Sequence, residues 1–325
     1  MKQLYFYSHG VRCAAWHLPA ATDALTGVAG RPSVVLAHGF SGTRDTGLLS
    51  FAEPFAAAGI DVLVFDYRGF GDSEGEPRQD ISVRRQRQDL HAALAAARNL
   101  PGVDRDRTAV WGYSYGGGHA VAVAAQDRGV AAVVAMNPAV DGRATLAELA
   151  RHGGVGLLAR LTGHGLRDVV RARTGRAPHT LPAVGQPGAT AFVTAPGAVE
   201  FGAAAGPTWR NEICARAALE AGLNRPIRYA GRLACPILVQ VGTNDTVAPP
   251  EAGRRAARKA GYLAHLCEYP IDHFQAFTEP WHPRVLADQV EFLGRVLGPA
   301  RAGDAHLRAG VTSHRASHLV VKLPW

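Results

Sequence analysis

The sequence predicts an α/β protein: a mostly parallel sheet flanked by helices, with one inserted helical segment. Three observations predict this class. Short apolar runs rich in β-branched residues alternate with helix-patterned segments, the order that covers a parallel sheet on both faces. The runs "SVVLAH" (33–38) and "DVLVFD" (61–66) are apolar almost throughout, as strands buried on both faces are. The rhythm breaks once, over residues 138–231, and resumes at "PILVQVG" (236–242). A chain of 325 residues has the length for one such domain carrying an insertion.

Each element has its own justification. "QLYFYS" and "VRCAAWHL", separated by His9 and Gly10, read as a leading antiparallel pair. After "SVVLAH", a Gly/Ser loop leads to a helix over 46–58 that Gly59 stops. "DVLVFD" is the next buried strand. Residues 81–98 set Val83, Leu90, Leu94 and Ala97 on one face at helical spacing. "TAVWG" (108–112) is a strand, followed by a Gly/Ala-rich helix and then by "VAAVVAM" (130–136).

Over 138–231 come helical pieces in "ATLAELARHGGVGLLARL", then a stretch holding Pro178, Pro182, Pro187, Pro196 and Pro207. A further helix is expected near "NEICARAALEAG". Without strand alternation, this segment reads as a lid inserted into a core made of residues 1–137 and 232–299, its proline-rich middle the mobile part. After "PILVQVG" follow a helix over 251–260, the strand "AHLCEY" (264–269) and a helix over 283–297. Residues 300–325 lack a clear pattern and read as a loose C-terminal tail.

Composition narrows the function classes. At 47% hydrophobic and 19% charged residues the chain is globular. A net charge of +8 raises nucleic acid as a partner. The arginines, however, spread from Arg12 to Arg315 with no accompanying nucleic-acid motif, so no nucleic acid is expected. No run of 18 uncharged apolar residues exists, so no membrane span is expected. "MKQLYFYSHGVRC" lacks the apolar run of a signal peptide. Cys13, Cys214, Cys235 and Cys267 are scattered without metal-type spacing, which predicts reduced thiols, no metal and a cytoplasmic protein.

In open α/β sheets ligands gather outside the carboxyl ends of the strands, so the residues just after each strand carry the chemistry. After "TAVW" stands Gly112-Tyr113-Ser114-Tyr115-Gly116, a G-x-S-x-G match in a strand–turn–helix context. Such a turn lifts the serine above the sheet, and the helix that follows points its positive dipole end at the same place. Tyr113 and Tyr115 are expected to pack at this turn. After "SVVLA" stands His38-Gly39-Phe40, where the N–H of Phe40 pairs with that of Tyr115 as an oxyanion hole. His38, before the glycine, is expected to hydrogen-bond structurally.

After "PILVQVG" comes Asp245 in a tight turn, and after "AHLCEY" comes His273, followed by Phe274. Asp272 adjoins His273, but neighbouring side chains on a loop diverge, which favours Asp245 as the partner. His119 and His265 have no comparable setting and read as packing or surface residues. Ser114 thus needs His273 to take its proton and Asp245 to hold the imidazole tautomer.

The order Ser114, Asp245, His273 is that of the α/β-hydrolase fold. Across residues 1 to about 297 the chain resembles an α/β-hydrolase, on "LAHGFSGTRD", "VLVFDYRGFGDSEG", "VWGYSYGGGHA", "VGTNDTVAPP" and "IDHFQAF". It is most similar to the branch of Xaa-Pro dipeptidyl-peptidase-like and serine-aminopeptidase-like hydrolases, which holds small esterases, thioesterases and polyketide acyl transferases. The resemblance implies an acyl-enzyme on Ser114 and a small-molecule ester, thioester or amide as substrate, with no cofactor. It implies a scaffold role for Arg68 in "DYRGFGDS". Acyl transfer by the same triad, and a non-catalytic binding member of the fold, are the alternatives.

Overall fold

The computed structural model describes residues 1–299; the segment read as a tail, 300–325, lies outside the described residues. The chain runs through β1 (Lys2–Ser8), β2 (Val11–Leu18), β3 (Arg31–Ala37), α1 (Leu49–Ala57), β4 (Asp61–Phe65) and α2 (Val83–Arg98). It continues through β5 (Val103–Tyr113), α3 (Tyr115–Ala124) and β6 (Val130–Met136). Then follow α4 (Gly142–Arg173), β7 (Thr180–Leu181), α5 (Ala198–Ala203), β8 (Ile213–Cys214) and α6 (Ala217–Ala221). Last come β9 (Ile237–Gly242), α7 (Pro250–Ala260), β10 (Ala264–Tyr269) and α8 (His282–Leu297).

Eight strands form one sheet in the order β1-β2-β4-β3-β5-β6-β9-β10. Pairing is antiparallel between β1 and β2 and between β2 and β4, and parallel from β4 to β10. The central strands are buried on both faces, and their side chains alternate between two cores. Val35, Ala37, Val110, Val133 and Ala135 face one core together with Leu90 and Leu94 of α2, Val121 of α3 and Ala256 of α7. Val34, Leu36, Trp111, Val134 and Met136 face the other with Phe51 and Phe55 of α1 and Phe292 and Leu293 of α8. Two layers of helix therefore clamp the sheet, leaving its strand ends free for chemistry.

Between β6 and β9 the chain adds no strand to this sheet. It packs against the core through Ala183, Ile213 and Ala217, and its two ends meet. Arg225 grips Asp141 through two hydrogen bonds of 2.8 and 3.0 Å, while Gly142 N donates to Asn224 O at 2.9 Å and Ile227 N to Val140 O at 2.8 Å. α4 is interrupted at Gly154, whose φ of +74° breaks the helical run. Leu157, Leu161, Leu181 and Ala215 form a small apolar cluster. Asp168, fully buried, is satisfied by the N–H groups of His179 and Arg216 and by the Arg216 guanidinium.

One expectation is corrected here. "NEICARAALEAG" is not one helix: Ile213–Cys214 pair antiparallel with Thr180–Leu181, and the helix begins only at Ala217. Ile213 and Cys214 are buried and Cys214 N also donates to Gln79 O at 2.9 Å, so tertiary contacts override a helix-compatible pattern. Within the proline-rich middle, Ala183, Ala191 and Ala198 are buried at 0% exposure, while most other residues of the stretch are part-exposed or exposed.

Candidate active site

Ser114 stands between β5 and α3 with φ +54° and ψ −116°, a conformation that L-residues rarely adopt. Its surroundings over-determine it: Ser114 N donates to Met136 O at 2.9 Å, and Ser114 O accepts from Ala139 N at 2.9 Å and Gly118 N at 3.1 Å. The flanking glycines are required by space. A Cβ on Gly112 would lie 2.3 Å from Gly116 O, and one on Gly116 would lie 2.3 Å from Ala37 O. The turn is therefore so tight that backbone passes where side chains would be.

The loops after β9 and β10 are laced together, with Thr243 N donating to Tyr269 O at 2.8 Å and Asn244 N to Ile271 O at 3.0 Å. This brings Asp245 to His273. His273 Nε2 lies 2.9 Å from Ser114 Oγ, and Nδ1 lies 2.6 Å from Asp245 Oδ2. All three residues are at most 5% exposed. The other carboxylate oxygen of Asp245 accepts from Val247 N and Ala248 N, both at 2.8 Å, which fixes the carboxyl plane. Asp272 points elsewhere: its Oδ1 accepts from Phe274 N and Gln275 N at 2.8 and 2.9 Å, capping the turn.

Phe40 N–H and Tyr115 N–H have no protein acceptor among the described residues. Tyr115 is the first residue of α3, where N–H groups have no intrahelical partner. Phe40 packs its ring on Tyr115 and Phe192, at centroid distances of 5.7 and 5.2 Å. His38 donates from Nδ1 to Gly39 O at 3.0 Å, and burial pushes its imidazole down to about 4, so it is neutral and uninvolved with Ser114. His119 is buried against Gln86 and Arg87, and His265 is exposed on β10. Arg68 makes a buried ion pair with Asp89 at 2.6 Å, away from Ser114.

Two residues hold the base in ways the sequence reading did not assign. The Tyr113 hydroxyl donates to the His273 carbonyl at 2.9 Å, and Asn137 Nδ2 donates to the same oxygen at 3.1 Å. Asn137 Oδ1 meanwhile accepts from Gly242 N at 2.8 Å. Asn137 follows β6 directly with φ +42°, so the post-strand position and an αL-tolerant residue type were its only available marks. Together the arrangement can deprotonate Ser114, hold the resulting imidazolium against a carboxylate and receive an oxyanion on two N–H groups.

Comparison with known proteins gives the family and the fold. Residues 29–271 match the family model described as serine aminopeptidase, S33. The quorum-quenching protein AidA of Acinetobacter baumannii is 36% identical over 297 residues, covering 90% of this chain and 94% of AidA. A polyketide transferase, grgF, of a Penicillium species is 35% identical over 149 residues, 44% of this chain and 48% of its own. The crystal structure of the α/β hydrolase GrgF from Penicillium sp. sh18 superposes with a TM-score of 0.76 at 24% identity, covering 91% of this chain and 98% of that one. The fold is that of the α/β hydrolases.

Proposed function

From the premise that this chain belongs to the serine aminopeptidase S33 family of α/β hydrolases, we propose that it cleaves an ester, thioester or small amide through an acyl-enzyme on Ser114. One observation carries the reading: the unbroken path from Ser114 Oγ through His273 to Asp245, at 2.9 and 2.6 Å. Ser114 Oγ attacks the carbonyl carbon as its proton passes to His273 Nε2. Asp245 holds Nδ1–H and so keeps the tautomer that can accept that proton. The tetrahedral oxygen is received by Phe40 and Tyr115 N–H, each donor contributing about 3 to 4 kcal/mol in comparable sites. His273 then gives its proton to the departing group, and water repeats the sequence in reverse.

The segment between β6 and β9 serves as a lid. Leu149, Phe192 and Val193 from it wall the space in front of Ser114. The likeness to grgF supports a second reading, in which an alcohol or amine replaces water as acceptor from the same acyl-enzyme. Three of the four cysteines are buried free thiols, which supports a reducing compartment, the cytoplasm.

A fluorophosphonate probe tests the nucleophile. It should label the wild type once and fail to label Ser114→Ala. Labelling that persists in that variant would place the nucleophile elsewhere. Measuring acyl transfer against hydrolysis of one activated ester, with and without an added alcohol, distinguishes the two acceptors.

A further inference from the structure

Two cavities meet at Ser114, and they are unequal. From their sizes and from which reacting group each contains, we infer that the enzyme selects apolar acyl groups of medium length carried on small leaving groups. This rests on Ser114 being the nucleophile.

The smaller cavity, about 60 Å³, is lined by His273, Tyr113, Phe201, Gly202 and Trp209. The larger, about 220 Å³, is lined by Leu146, Leu149, Leu158, Leu161 and Phe192, and His273 is not among its walls. Both share Phe40, Ser114, Val193 and Val247. The reaction then assigns each cavity its group. A bond forms between Ser114 Oγ and the carbonyl carbon, and the proton from Oγ moves to His273 Nε2. As the bond from that carbon to the leaving heteroatom breaks, Nε2 returns the proton to the heteroatom. The heteroatom must therefore be within hydrogen-bond reach of Nε2, and the group attached to it lies in the small cavity. The carbonyl oxygen turns to Phe40 and Tyr115 N–H, so the remaining substituent, the acyl chain, extends into the large one.

Size then sets the selection. An apolar cavity of about 150 Å³ holds a benzene ring, so the chamber of about 220 Å³ takes an acyl group of roughly eight to ten carbons. The small cavity has room for a short alcohol. Its walls are closely set: a Cβ on Gly202 would lie 2.9 Å from Trp209 and 3.0 Å from Val184, and Phe201 is packed against Phe274 and Phe277 at 5.1 Å from each ring. A third cavity of about 330 Å³ shares Leu149, Phe192, Val193 and Val247 with the chamber and carries Glu148 and His152.

A matrix of esters tests the assignment: ethyl esters from acetate to hexadecanoate, and octanoate esters of ethanol, butanol and octanol. On the wild type, kcat/KM should peak at about eight to ten acyl carbons and fall by about tenfold or more from ethyl to octyl octanoate. Ala218→Leu, which fills the chamber, should lower the octanoate-to-acetate ratio about tenfold without changing the order of alcohols. Trp209→Ala, which opens the small cavity, should raise octyl relative to ethyl octanoate by a similar factor without changing the acyl order. A flat wild-type profile, or the two substitutions acting on each other's group, overturns the inference, and the wild-type matrix decides even where a variant does not fold. Fluorophosphonate labelling of Ser114→Ala, run alongside, separates this failure from failure of the nucleophile itself.

Discussion

Replacing Asn137 with aspartate separates two jobs that its amide performs together. Oδ1 accepts the Gly242 N–H at 2.8 Å, and Nδ2 donates to the His273 carbonyl at 3.1 Å. Aspartate keeps the first and turns the second into an oxygen facing an oxygen. The backbone at φ +42° suits aspartate as well as asparagine, so little strain is added. Losing one buried hydrogen bond and leaving a charged oxygen unpaired should cost about 2 to 4 kcal/mol of stability. The chemical effect is separable from this, because the Tyr113 hydroxyl still holds the His273 carbonyl at 2.9 Å. The imidazole should therefore shift without leaving, and a displacement on the order of 1 Å costs about 10²-fold. Steady-state kinetics on an octanoate ester should show kcat lowered about 10- to 100-fold with KM little changed. Urea unfolding of the same samples gives the stability change. Tyr113→Phe combined with Asn137→Asp should be non-additive, since both residues hold one oxygen. A kcat within about twofold of wild type, in a protein that is destabilised as expected, would show that Asp245 alone positions the base.

The choice of acid can be read directly: Asp245→Asn should cost about 10⁴-fold in kcat through the wrong tautomer, whereas Asp272→Asn should alter only turn stability, and the reverse ranking would exchange their roles. Acid sensitivity should carry a contribution from His38, whose folded-state pKa is depressed by burial from 6.5 to about 4. The unfolded chain takes up that proton first, so stability is lost as pH falls from about 6.5 to 4, by about 3 kcal/mol in all. Asp66, pushed up to about 6 by burial, works the opposite way in that window, so the measurement is the difference between wild type and His38→Asn in urea unfolding at several pH values. An identical pH slope in the two proteins would show His38 to be without influence. Gly116→Ala should unfold the protein or cost more than about 3 kcal/mol, because its Cβ would meet Ala37 O at 2.3 Å; a soluble variant with normal thermal stability would contradict the close approach.

Much of the fold was readable because two-faced burial leaves a strong mark: β3, β4, β6 and β9 are almost uninterrupted apolar runs. Ser114, Asp245 and His273 could be singled out because each sits on the turn just past a strand: Asp245 after buried β9 and Ser114 after the buried end of β5, while His273 follows the half-exposed edge strand β10. The inserted segment gave no comparable mark. Ile213 and Cys214 pair with only two residues of β7, too short a strand for any period to show. Asn137 was invisible for a different reason. It reaches the His273 carbonyl through a contact 136 residues away along the chain, and a lone asparagine after a strand looks like any other turn residue. Nor does a pattern along one dimension say which of the leucines of α4 turn inward to the same space as Phe192.

The meeting of Asp141 with Arg225 has a consequence for how such a protein can change over time. Because the ends of the stretch 142–224 stand side by side, the cost of closing it as a loop grows only slowly with its length, and its ties to the core are side contacts such as Cys214 N to Gln79 O and Phe192 on Phe40. The stretch can be lengthened, shortened or exchanged like a cassette while the sheet keeps its register. Leu146, Leu149, Leu158, Leu161 and Phe192 all lie inside that cassette, whereas Ser114, Asp245, His273, Phe40 and Tyr115 all lie outside it. Diet and chemistry are thus written on separate lengths of chain, and descent can revise the first while leaving the second untouched.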